Sequence, residues 1–119
     1  MAPSAVQTAP FRISPAPTED ELLAKYFRVL ADRSRLRILR ALVTSGELSV
    51  GALVDDLGIP QPSVSAHLAC LRWCGFVEAR RDHRTIYNRI ADERVNRLID
   101  LAGELLGENS EHVAACRRA

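Results

Sequence analysis

The sequence predicts a mainly helical domain closed by a β-hairpin. Three observations lead there. Apolar residues recur at helical spacing in four successive segments before residue 75, the pattern turns strand-like over 76–90, and one more amphipathic helix follows.

Thr18 caps the first helix, EDELLAKYFRVLAD, whose opening turn of Glu19, Asp20 and Glu21 suits the positive end of a helix dipole. Leu22, Leu23, Tyr26, Phe27 and Leu30 form its apolar stripe. The second helix spans 34 to about 44, carries Leu36, Ile38, Leu39, Leu42 and Val43, and stops at Ser45-Gly46. The third, VGALVDDL, is capped by Ser49 and ends at Gly58, a residue suited to the left-handed C′ position. Ile59-Pro60-Gln61-Pro62-Ser63 then makes a turn whose prolines favour a helix start. The fourth helix runs from about Gln61 to Cys74 and stops at Gly75.

Beyond it, FVEARRDHRTIYNRI reads as strands 76–80 and 85–90 around a polar turn. Asp92 caps ERVNRLIDLAGELLG, with Val95, Leu98, Ile99, Leu101, Ala102 and Leu105 on one stripe. Four helices, a hairpin and a closing helix over residues 18–107 make a winged helix-turn-helix, whose modest core would gain buried area by oligomerisation. The Pro-containing segment 1–17 reads as a disordered arm, and 108–119 as a C-terminal tail.

No apolar run approaches the length of a membrane span, and the amino terminus lacks a secretory hydrophobic core, so a cytoplasmic protein is expected. Three cysteines cannot all pair within one chain, which speaks against a disulfide framework. The net charge of +1 hides an asymmetry. Arg28, Arg33, Arg35, Arg37 and Arg40 face only Asp32 over 28–40, whereas six acids face Arg94 and Arg97 over 91–111. A basic middle beside an acidic last helix fits a phosphate-facing surface, although solvated helix faces would give the same count.

The short third-to-fourth helix connection lets the fourth lie in a major groove while the third braces it. Gln61, Ser63, Val64, Ser65 and His67 are the candidate contacts on that reading helix, and Arg80, Arg81, His83 and Arg84 those of the hairpin tip. Double-stranded operator DNA is the expected partner.

Cys70 and Cys74 lie one helical turn apart on the same helix, where two thiolates can grip one soft metal ion. Cys116, carried by the tail, can close the set. Three thiolates favour Cd²⁺, Pb²⁺, Hg²⁺ or As(III) over Mg, Mn or Ni. The pair also reads as two small core residues. At about 100° per residue, however, it sits roughly 110° from the stripe of Val64, Leu68 and Leu71. His67 and His112 are possible additional ligands, and Trp73 reads as packing. A thiol redox switch is the rival reading, made awkward by the near-parallel Cβ vectors of an i,i+4 pair. An enzyme is not expected, because the chain has no C-x-x-C motif and no phosphate loop.

The runs VLADRSRLRILRAL and LVDDLGIPQPSVSAHLACLRWCGFVEARRDHRTIYNRI resemble the ArsR/SmtB family of bacterial metal-sensing repressors, over roughly Leu22 to Leu106. The resemblance implies a dimer joined through the first and last helices, with Leu22, Tyr26, Phe27, Leu98, Leu101 and Leu105 at the interface. It also implies operator binding when metal-free and release when loaded. Of the family's metal sites, the C-x-C at the third helix is replaced here by Ser49 and Gly51. The Asp-and-His site of the last helix meets Asp92, then Arg94 and Leu105. What remains, Cys70 and Cys74 with Cys116 following 42 residues later, resembles the cadmium/lead-sensing branch, and mercury-responsive members could use a similar set.

Overall fold

The computed structural model describes residues 15–118, so most of the arm expected over 1–17 lies outside the described residues. In chain order the elements are α1 (Glu19–Leu30), α2 (Arg33–Ser45), β1 (Glu47–Ser49), α3 (Val50–Leu57) and α4 (Gln61–Trp73). The hairpin β2 (Val77–Asp82) and β3 (Thr85–Ile90) and the long α5 (Glu93–Ala115) complete the winged helix-turn-helix.

Local chemistry sets the helix boundaries. Thr18 and Glu21 form a reciprocal capping box, with the Glu21 amide donating to Thr18 Oγ1 at 3.1 Å and the Thr18 amide to Glu21 Oε1 at 3.1 Å. Asp32, Ser49 and Asp92 cap α2, α3 and α5 more simply, each with one side-chain oxygen accepting from a first-turn amide. At the end of α4, Gly75 turns left-handed with φ +83°, its amide reaching the Arg72 carbonyl while that of Phe76 reaches Leu71. This paired closure halts the helix and drives Phe76 into the core, leaving Cys74 as the last residue before the turn.

The core is one cluster in which Ile38, Leu39, Leu53, Val64, Leu68, Leu71 and Phe76 are fully buried. It joins α2, α3 and α4 and clamps the two helices of the helix-turn-helix at a fixed angle. Arg37 reinforces the turn from its flank by donating to the Leu57 carbonyl at 2.9 Å.

Three features differ from the sequence expectation. A short strand, β1, pairs antiparallel with β3, giving the order β1-β3-β2. With three residues it shows no alternation to read, and its last residue, Ser49, is also the cap of α3. The hairpin is longer than 76–80 and 85–90: Asp82 pairs with Thr85, so the loop is only His83 and Arg84, with His83 at φ +56°. Two-residue hairpin loops need such a positive φ, and the charges of Arg80 to Asp82 lie on exposed strand rather than in the turn.

Finally, the segment expected to be a tail from 108 is helical as far as Ala115. Gly107 does not stop α5, since an isolated glycine costs a helix only about 1 kcal/mol. Within α5 only Val95 and Ile99 are buried, and every residue from 104 to 118 is exposed. Leu101 and Leu105 on α5, like Leu22 and Phe27 on α1, present apolar surface that this chain does not cover, whereas Tyr26 and Leu98 pack on its own core.

Candidate nucleic-acid interface and thiol pair

α4 starts at the Pro60 turn and exposes Gln61 and Ser65, with Ser63 half-buried. None of the three side chains is hydrogen-bonded within the described residues, so their donors and acceptors stand free at the helix start. Val64 is different. It is fully buried between α4 and the core and has no surface to offer DNA, so its place among the contacts is corrected. Its neighbours at 63 and 65 point elsewhere because successive helix residues are rotated by about 100°. His67 is half-buried, and its Nδ1 accepts from Arg35 Nε at 3.2 Å.

On the wing, Arg81, His83 and Arg84 are exposed around the tip. Arg80 is already engaged. Its guanidinium grips Glu47 of β1 through two bonds of 2.6 and 2.9 Å and lies 4.8 Å from the Tyr87 ring centre. The hydrogen bond to Arg80 holds the Glu47 carboxyl below its ordinary range. Arg80 therefore fastens the wing to β1 and is not a free phosphate ligand. Glu47, 33 residues away in sequence, gave no signal of this role.

Cys70 and Cys74 share the opposite end of α4, both half-buried and packed on the edge of the core. Burial pushes the Cys74 thiol up, and Cys70 pushes it the same way by charge and by hydrogen bond, while Lys25 and Arg35 pull it back. Trp73, expected to pack, is 92% exposed beside them.

Cys116 is exposed at the end of α5. Among the described residues no three His, Cys, Asp or Glu side chains gather as a metal-binding group. One chain thus brings together two of the three expected thiols, and neither Cys116, His67 nor His112 joins them. The pair itself fits two soft ligands of one ion, being adjacent, unbridged and on one face.

The alternative position at the start of α5 is occupied otherwise. Arg94 closes on Asp92 through Nη2 at 2.8 Å and Nε at 3.1 Å, and its amide donates to the same carboxylate at 2.8 Å. Those bonds hold Asp92 down at about 2, as an ion-paired cap rather than a metal ligand. Ser49 likewise spends its hydroxyl on the Ala52 amide.

Residues 32–79, covering α2 through the first residues of β2, match the family described as bacterial regulatory protein, arsR family. A probable mercury resistance operon repressor of Streptomyces lividans is 40% identical over 101 residues, 85% of this chain and 80% of its own length. The chain belongs to the arsR family. Among solved structures, the homodimeric winged helix-turn-helix DNA-binding domain of a possible ArsR-family regulator from Mycobacterium bovis matches with a TM-score of 0.70 and 34% identity, over 84% of this chain and 95% of that one. The antimony-specific transcriptional repressor AntR matches with a TM-score of 0.67 and 32% identity, over 87% and 96%. These arsR-type relatives are transcriptional regulators rather than enzymes. No helix among the described residues is long and apolar enough to cross a membrane.

Proposed function

We propose that this arsR-family chain is a cytoplasmic homodimeric repressor that holds operator DNA when metal-free and lets go on taking up a thiophilic heavy metal, Cd²⁺, Pb²⁺ or Hg²⁺. The observation that carries the reading is the placement of Cys70 and Cys74. They lie one turn apart on a flank of the same helix whose opening residues stand free for DNA. Relatives named for mercury and antimony, both thiophilic elements, support it.

The exposed apolar faces of α1 and α5 are the dimer surface, with Leu22, Phe27, Leu101 and Leu105 at its centre. Gln61, Ser63 and Ser65 contact base edges or phosphates, and Arg81, His83 and Arg84 carry the wing onto the backbone. Cys116 supplies the third thiolate, and since it does not reach the pair of its own chain, it serves the second copy. A bound ion supplies a soft Lewis acid that keeps the three thiols deprotonated. The chain's own part is mechanical: Cys70 sits on α4 and Cys74 is its C-cap, so whatever draws them together with the end of α5 acts on the reading helix directly. A coupling of about 3 kcal/mol between the two sites would weaken operator binding on the order of 100-fold.

Operator binding titrated with Hg²⁺, Cd²⁺, Pb²⁺, As(III), Zn²⁺ and Ni²⁺ under reducing conditions tests the proposal, with release expected for the thiophilic ions only. Cys70→Ser and Cys74→Ser should bind operator as the native protein does and ignore metal. Release by Zn²⁺ and Ni²⁺ alone, or unimpaired metal response in both serine variants, would overturn it.

A further inference from the structure

Arg35 is half-buried on α2 and makes contacts in three directions. Its amide is capped by Asp32 Oδ1 at 3.0 Å, which holds the Asp32 carboxyl below its ordinary range. Its Nη1 donates to the Val29 carbonyl in the last turn of α1 at 3.2 Å. Its Nε donates to Nδ1 of His67 at 3.2 Å, across 32 residues. Among the described residues this last bond is the side-chain hydrogen bond that ties α4 to α2.

The direction of that bond has a chemical result. A guanidinium only donates, so the ring nitrogen facing it must be unprotonated, and in a neutral imidazole the proton is then on the other nitrogen. We propose that Arg35 is a positioning residue for DNA recognition, fixing His67 as the Nε2–H tautomer so that α4 offers DNA a hydrogen-bond donor at this position. The proposal rests on the reading of α4 as the DNA-contacting helix. A donor there suits an acceptor on the duplex, either a phosphate oxygen or the N7 or O6 edge of a purine, and rejects the amino groups of adenine and cytosine.

Two variants separate the parts. Arg35→Met keeps an apolar stem and removes every donor. His67→Asn keeps an amide oxygen near the place of Nδ1, so the Arg35 bond survives while the Nε2 donor is lost. In ¹⁵N-labelled native protein, long-range imidazole correlation spectra should show His67 protonated at Nε2 and bare at Nδ1. In Arg35→Met the ring should exchange between tautomers. Both variants should bind operator about tenfold more weakly, ~1.4 kcal/mol. A phosphate acceptor would make the loss equal on operator and random DNA, and a base acceptor would confine it to the operator.

A native His67 carrying its proton on Nδ1 would overturn the proposal, whatever the variants do. So would operator binding within about twofold of native in His67→Asn, since a fall in Arg35→Met alone would then reflect lost packing on Val29. Gln61→Ala distinguishes the underlying reading. Weakened binding there, with none in the Arg35 and His67 variants, sinks this inference and leaves α4 at the DNA; no loss in any of the three removes α4 from the interface.

Discussion

At its amino end, α4 presents the side chains of Gln61, Ser63 and Ser65 with no hydrogen bond to the rest of the described chain, and it begins without a side-chain cap. At its carboxyl end, Cys70 and Cys74 are half-buried against the core, and a left-handed glycine with two closing hydrogen bonds fixes where the helix stops. From Ser65 to Cys74 is nine residues, about 14 Å of helix. The difference is one of commitment. The amino end can bond to DNA without first breaking bonds inside the protein, while the carboxyl end cannot be disturbed without shifting the helix against its core. One rigid rod joins an uncommitted end to a committed one, which suits a device in which the second controls the first.

The strongest way to break that comparison is to cut the rod's anchor. Leu68 lies between the two ends and is fully buried, so Leu68→Ala should cost about 2–5 kcal/mol of stability and degrade both ends together. Urea unfolding followed by circular dichroism would show it. A variant that kept native stability yet lost DNA binding would mean that the amino end is not held through the core.

The wing sharpens the contrast at smaller amplitude. Arg84 is exposed near the hairpin turn and Arg80 is held by Glu47. Arg84→Ala should flatten the salt dependence of DNA binding by roughly one unit of slope, as the loss of one phosphate contact does. Arg80→Ala should leave that slope nearly unchanged and loosen the wing instead. Equal slopes in both variants would mean that the Glu47 tether gives way on DNA.

The smallest effect concerns the thiol end. The Cys74 thiol is raised above its ordinary value of 9.0, first by burial and then by Cys70. A group that holds its proton more tightly when folded contributes stability below its unfolded value, and that contribution is lost as pH climbs through the raised one. The metal-free protein should therefore lose stability as pH rises above about 9, and Cys74→Ala should remove that component of the decline. An identical alkaline decline in native protein and variant would show that the thiol end is solvated after all.

Sequence alone disclosed much of the fold because caps are local chemistry. Thr18, Ser49, Gly58 and Asp92 mark their helix ends within three or four residues, and the core stripe Val64-Leu68-Leu71 follows from period alone. The cysteine pair was equally visible, being one turn apart. What stayed hidden depends on partners distant in sequence. Arg80 looks like any wing arginine until Glu47 is folded beside it, and Arg35 is one of five in a basic run until His67 arrives from α4. Val64 was misplaced at the DNA because its serine neighbours drew it there, against its own periodicity. β1 has too few residues to carry a pattern, and the continuation of α5 past Gly107 has no buried stripe to announce it.

Trp73 is the chain's one tryptophan, it is 92% exposed, and it adjoins Cys74. Its emission comes from a single environment, covalently next to the thiol pair, and a heavy ion held there would quench it by spin–orbit coupling. The native protein thus carries an optical probe beside the proposed site, so metal uptake there would be followed in real time without attaching a dye.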